Sequence, residues 1–214
     1  MMAAASDLRH YSEHELPTLL VSILASGPWL DEVAGRSYAH DNGFIKIVLE
    51  DDPEEDRSLR LHIWPAEAEP ETNIHNHRWD FSSLVISGEL EFEEFVVDEA
   101  GQIEADGYGY LPTPGLEYEL QPTGPAHLRS ASVGSRRSGE VYEMIAETLH
   151  RTWGKHGTRT VTLLQQGTRR RQHADVYVTD SEGIGGEVVN EALEPDQLRS
   201  ELEAVLTELN AAHS

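Results

Sequence analysis

Ser82 to Val97 reads SSLVISGELEFEEFVV, two short segments joined at Gly88. In the second, Glu89, Glu91 and Glu93 alternate with Leu90 and Phe92, a period of two that suits a strand and not a helix. The first is a brief β-rich apolar run. Outward from this pair the pattern repeats in GFIKIVLE (43–50), RSLRLHIWP (57–65), GLEYELQP (115–122), GEVYEMIAE (139–147), RTVTLLQQG (159–167) and HADVYVTD (173–180). Turn-forming stretches separate them: DDPEED, DEAGQ, PTPG and PTGP. Short strands without intervening helices predict a mostly β chain, folded as an antiparallel sandwich or barrel spanning about residues 36–182.

A helix is expected at each end. Over residues 12–26, Ser12 and Glu15 have capping-box spacing, Leu16, Leu19, Leu20, Ile23 and Leu24 form a stripe, and Gly27-Pro28 ends it. Over residues 195–211, Pro195 opens a helix whose Leu198, Leu202, Val205, Leu206 and Leu209 share one face. The 214 residues suit one domain, 1–214.

Lys and Arg total 16 against 39 Asp and Glu, a formal charge of −23, which disfavours binding to nucleic acid or to an anionic membrane surface. No cysteine is present, which removes disulfides, thiolate ligands and a cysteine nucleophile. The start has no basic segment leading into an apolar one, and the longest greasy stretch, Leu16 to Ala25, is broken by Pro17, Thr18 and Ser22. The expectation is a soluble, cytoplasmic protein. A serine hydrolase is disfavoured, because the chain has no G-x-S-x-G elbow.

The chemistry gathers in NIHNHRWDF, Asn73 to Phe81, preceded by Pro70 and Thr72. On a strand, His75 and His77 would point to the same face, roughly 6–7 Å apart, and could share one ion at about 2.0–2.1 Å. Alone, such a pair also fits two polar strand residues. Most other histidines are set aside: His10, His14 and His213 lie near the termini, and His156 and His173 sit beside charged residues.

Spacing adds to the pair. His75, His77 and Gly88 fit the first cupin motif, HxH followed by Glu and Gly, with Phe81 in the glutamate position. GEVYEMIAETLH reproduces the ends of the second motif with Gly139 and His150, while Ile145 and Glu147 replace its inner Pro and Gly. From Ser58 to His150 the chain thus resembles the cupin superfamily. The resemblance implies a jelly-roll barrel with a metal held by His75, His77 and His150. His127, in GPAHLRSAS, is the rival third ligand. Asp80 has the opposite strand parity to the pair and is expected to point away.

A three-histidine set without carboxylate is similar to that of the thiol dioxygenases among the cupins. LHIWP, ahead of the pair, looks like their strand ending in tryptophan, which puts Trp64, Arg60 and His62 on the site face. SYAHDNGF looks like their upstream Tyr-x-Arg segment, with His40 where an arginine is expected. Two features depart: VTLLQQG stands where Ser-x-His-x-Tyr is expected, and a cysteine–tyrosine crosslink is impossible.

The expectation is a non-haem Fe(II) oxygenase acting with O2 on a small amino-acid-like molecule, with the thiol cysteine as first candidate. Zn, Ni or Mn are the alternative metals, and no organic cofactor is expected. Arg60 would clamp a carboxylate. His62, Tyr142 or His40 would hydrogen-bond oxygen or donate a proton. Trp64, Trp79 and Phe81 would line the substrate pocket and exclude water. A redox-inactive metal lyase or isomerase and a binding barrel are the competing readings. The resemblance leaves a homodimer through barrel edges open.

Overall fold

The computed structural model describes residues 5–52, 54–55, 57–67, 73–113, 115–179 and 186–212. Pro53, Asp56, Pro70, Thr72, Pro114, Asp180 and His213, used in the sequence reading, lie outside them, as does the expected barrel end near 182. The chain is mostly β, with helices at both ends. In order it forms α1 (Ala5–His14), α2 (Leu16–Ala25), α3 (Gly27–Gly35), β1 (Tyr38–His40), β2 (Phe44–Asp52), β3 (Arg57–Trp64), β4 (Ile74–His75), β5 (Trp79–Ser87), β6 (Glu89–Val97), β7 (Ile103–Pro112), β8 (Glu117–Arg137), β9 (Val141–Met144), β10 (Leu149–Gly154), β11 (Thr160–Arg169), β12 (Ala174–Val178), β13 (Gly186–Val189) and α4 (Pro195–Ala212).

The strands build two antiparallel sheets, ordered β1-β2-β3-β11-β5-β9 and β13-β8-β6-β10-β4-β12-β7. In the second sheet β7 also pairs with β8, so six of its strands close on themselves around Ile74, Phe95, Ala105, Leu128 and Leu149. The first sheet is two-faced because its residues alternate. On β3, Leu59, Leu61 and Ile63 are buried against the helices. Arg60, His62 and Trp64 point to the other side, into the barrel. Ile47 and Leu49 of β2 and Val161 and Leu163 of β11 join the helix-facing core. The helices supply Leu16, Leu20, Ile23, Leu30, Leu198, Leu202, Val205 and Leu209 to it, so both apolar stripes read from sequence are packing surfaces.

Three local expectations are corrected. The single N-terminal helix expected over 12–26 is instead the end of α1 followed by α2, and a third helix, α3, comes after it. Ser12 lies buried inside α1 and caps nothing, and Glu15 makes no side-chain cap at α2. Gly27-Pro28 opens a helix as well as ending one. Ser26 is extended (φ −114°, ψ 105°) and its hydroxyl accepts the Trp29 N–H at 3.4 Å, while Pro28 sits in the first turn, where it needs no donor. PTGP does not separate strands; it lies within the 21-residue β8, whose first half pairs with β7 and second half with β6. A register shift at Gly107/Tyr108 absorbs the prolines, and Gly124 takes φ 107° there, a conformation natural only to glycine. Among the described residues no helix is long and apolar enough to cross a membrane.

Candidate metal centre

The histidine pair is not on one regular strand. β4 is two residues long, and His77 lies beyond it. The pair converges because both sides of the kink are pinned. Asn76 exchanges hydrogen bonds with Asp175: its N–H donates to the carbonyl (3.1 Å), its Nδ2 to the carboxylate (2.7 Å), and its Oδ1 accepts the Asp175 N–H (2.7 Å). The His77 N–H donates to the Ala146 carbonyl at 3.0 Å. His150 needs no such device. It is the cross-strand partner of His75 on β10, so the two imidazoles share a face.

The three rings form a nearly equilateral group, with centroids 5.0 Å (His75–His77), 4.8 Å (His75–His150) and 5.0 Å (His77–His150) apart. One nitrogen from each lies within 4.8 Å of the others. Backbone carbonyls orient two of them: Nδ1 of His75 lies 2.9 Å from the Asn73 oxygen and Nδ1 of His150 lies 3.0 Å from the Thr148 oxygen. An Nδ1–H donated to each carbonyl leaves Nε2 as the free lone pair, the arrangement a metal ligand requires. Burial holds all three neutral. It pushes His150 down to about 3, helped by the field of His75. It also lowers His77, reinforced by His150 and His75, and His75 itself, against its bond to Asn73. Three unprotonated imidazoles fit a divalent cation of the zinc or iron kind.

No carboxylate joins the group. Asp80 is committed elsewhere by its own hydrogen bonds: it accepts the Ala146 N–H at 2.9 Å and the Arg170 guanidinium at 2.7 Å. Glu94, in register with His150 on β6, also lies outside the group. Phe81 fills the place beside the histidines, 3% exposed, its ring perpendicular to His77 at 5.0 Å. His127 is exposed on β8, opposite Glu104, so the rival ligand is not part of the centre.

The centre forms one wall of a cavity of about 160 Å³ between the two sheets. Every residue expected at the site lines it: Arg60, His62, Trp64, His40, Trp79, Phe81 and Tyr142 join the three histidines. They are unequal in position. Trp79 bridges the cavity, its ring 5.7 Å from His77 and 5.0 Å from the Arg60 guanidinium carbon. Arg60 donates from Nη2 to Gln166 Oε1 at 2.6 Å, while its buried Nε has no partner among the described residues. His62 Nε2, Trp64 Nε1 and Trp79 Nε1 are likewise buried without hydrogen bonds. Buried polar atoms usually find partners, so this cluster holds hydrogen-bonding capacity that a ligand or ordered water can take up. His40 accepts the Asn42 N–H at Nδ1 (3.1 Å) and stacks on Phe44 at 4.5 Å. Burial also holds His40 and His62 neutral. Tyr142 packs on Phe81 at 6.1 Å, one layer back from the histidines, and burial raises its hydroxyl.

The sequence reading missed Tyr38, Lys46, Arg78, Tyr110 and Tyr118, which also line the cavity. A signal existed for Lys46. In FIKIVLE it is the charged position of an alternating strand, and in register it pairs with Tyr38 and His62 on the same face.

No protein-family model matches the chain, and neither does any curated protein. Among solved structures it is similar to hydroxypropylphosphonic acid epoxidase from S. wedmorenis, with 10% identity and TM-score 0.39 over 62% of this chain and 54% of that one. It is also similar to a cupin superfamily protein from Desulfitobacterium hafniense DCB-2 (13%, TM-score 0.34, 60% and 80%). A third likeness is to CENP-C from Drosophila melanogaster (13%, TM-score 0.37, 69% and 95%). The chain therefore spans about half the epoxidase's length. Likenesses at this level assign no chemistry; the geometry of the centre has to do that.

Proposed function

We propose that the chain is a metal-dependent cupin that uses Fe(II) and O2 to oxidise a small organic acid. The observation that carries this reading is the neutral three-histidine group facing a cavity whose other wall is cationic. Three imidazoles leave the charge of a divalent ion uncompensated, where a carboxylate-containing set would halve it. An anionic substrate group then supplies what the protein withholds. An amino-acid thiol such as cysteine meets that need with its thiolate, and is the first substrate to try. When bound, the iron would supply open positions for substrate and O2 and a route for electrons between them.

The chain's own residues do the rest. The guanidinium of Arg60, held over Trp79 and fixed by Gln166, receives the substrate's carboxylate. His62 Nε2, buried without a partner, is placed to exchange a hydrogen bond with the substrate or with oxygen. Trp64 and Phe81, each 3% exposed, exclude water from the reacting atoms. Tyr142 supports Phe81 and stands one layer back from the histidines.

The test is to purify the protein anaerobically, assay its metal, add Fe(II) with cysteine or other small thiols and acids, and follow oxygen uptake. Uptake that disappears in His75→Ala supports the reading. Tight zinc and no oxygen consumption with any of them overturns it in favour of a redox-inactive lyase or isomerase, for which a three-histidine site also suffices.

A further inference from the structure

Lys46 is the least expected side chain in the barrel. A lysine on an inward-facing strand position loses hydration, and proteins usually answer with a carboxylate. Among the described residues, the only hydrogen bond of Nζ is to the Tyr38 hydroxyl, at 2.9 Å. Arg60 is the nearest in kind: it stands one rung away on the same face of the sheet, and among the described residues its buried Nε has no partner and its side chain hydrogen-bonds only a neutral amide. No described carboxylate forms an ion pair with either group. Asp51, whose charge is felt by both, and Glu117 line the second cavity, and Asp41 lines the first, where it accepts from the Tyr118 hydroxyl; none of them forms an ion pair with either group. In a chain of net charge −23 with carboxylates in abundance, two basic side chains thus share a cavity wall with no carboxylate paired to either among the described residues.

The same wall has room on its other side. A second cavity, of about 180 Å³, adjoins the first, and Tyr38, Lys46, Arg60, Tyr110 and Asn190 line both. The hydroxyl of Thr113, which lines the second cavity, is also buried with no partner among the described residues. A lysine and an arginine, flanked by tyrosine and threonine hydroxyls, together offer an oxyanion more hydrogen-bond donors than a single carboxylate occupies.

We propose that Lys46 and Arg60 form an anion-binding subsite, separate from the three-histidine centre, which takes a dianionic headgroup: either a pair of carboxylates or one phosphate-type group. The subsite rests on the proposed function only in making this headgroup the remote end of the substrate. Trp79, in contact with both Arg60 and His77, sets the reach between the two ends. A substrate gripped at both ends is short, with its anionic terminus and its metal-binding group at opposite ends. Burial, followed by the fields of Arg60 and Arg78, pushes the Lys46 amine down. A bound anion works against that shift and favours the charged amine.

The test uses metal-free protein, so that it stands apart from any oxygen chemistry. Inorganic phosphate, malonate and acetate are titrated by calorimetry against wild type, Lys46→Met, Lys46→Arg, Arg60→Met and His75→Ala. The expected result is saturable binding of phosphate or malonate at least about tenfold tighter than acetate. Comparing phosphate with malonate then identifies which kind of dianion is preferred. Lys46→Met and Arg60→Met each weaken this binding about tenfold or more, Lys46→Arg retains it, and His75→Ala leaves it unchanged. The proposal is overturned if wild type shows no saturable binding, if acetate binds as well as the dianions, or if binding survives Lys46→Met and is lost in His75→Ala. Because Lys46→Arg keeps the charge at the same site, its recovery shows that loss in Lys46→Met is not misfolding. Loss in both with native circular dichroism counts against the proposal.

Discussion

The two faces of β3 show how the fold divides its work. Leu59, Leu61 and Ile63 look outward onto four helices and belong to the largest core, while Arg60, His62 and Trp64 look inward and carry unpaired polar atoms. These residues alternate along one eight-residue strand. A slip of one position would bury a guanidinium among leucines and turn aliphatic residues into the cavity, so register is specified from both sides at once. The largest apolar cluster lies on the helix face, which leaves the cavity face to hold polar groups without hydrogen-bond partners among the described residues.

Substitutions that separate these faces test the division. Leu61→Ala on the helix face removes a fully buried side chain and is expected to cost about 2–5 kcal/mol, measured by urea unfolding. A loss below about 1 kcal/mol would show that the helices contribute little. Asp80→Asn acts at the boundary. It weakens an acceptor for the Ala146 N–H and the Arg170 guanidinium, at about 1–3 kcal/mol. Because the Ala146 carbonyl holds His77, the same variant should lower metal affinity about tenfold in a chelator competition. Unchanged affinity would detach the pin from the centre. Arg60→Met on the cavity face should leave the urea midpoint near wild type and raise KM for an acidic substrate about tenfold or more, with a smaller change in kcat.

The smallest effect concerns pH. The centre's histidines bind protons less readily folded than unfolded, with His150 at about 3 against an ordinary value of 6.5. The unfolded chain therefore takes up protons first as pH falls below about 6.5, so folded metal-free protein loses stability from there toward lower pH. Thermal unfolding between about pH 6.5 and 5, above the ordinary carboxylate range, should show a falling midpoint, with a shallower slope in His150→Gln. A flat profile in wild type would mean that the imidazoles are not buried as described.

Much of this was legible in periodicity. Alternation identified β2, β3 and β6, a β-rich apolar run identified β5, and the motif resemblance carried by Gly139 and His150 found a third histidine far away in sequence. That reading succeeded because strand parity is local and cross-strand pairing keeps facing residues together. It failed where local chemistry competes with the sheet. IEADGYGYLP of β7 is glycine-rich and weak as a strand on its own, and it is ordered by β8 and β12 on either side. The prolines of PTGP looked like a break and are carried through a register shift. HxH was read as two residues of a strand; Asn76, pinned by Asp175, shows that the convergence is made at a strand end by tertiary hydrogen bonds that no local pattern reveals. Lys46 was passed over because its meaning depends on lying beside Arg60 with no carboxylate paired to it among the described residues, and both are properties of the folded barrel.

The most direct measurement is metal stoichiometry by mass spectrometry after anaerobic loading with Fe(II), for wild type, His150→Ala and His127→Ala. The geometry predicts one ion per chain in wild type and in His127→Ala, and near loss in His150→Ala with its fold intact by circular dichroism. Full loading of His150→Ala, or loss of metal in His127→Ala, would contradict the three-histidine centre.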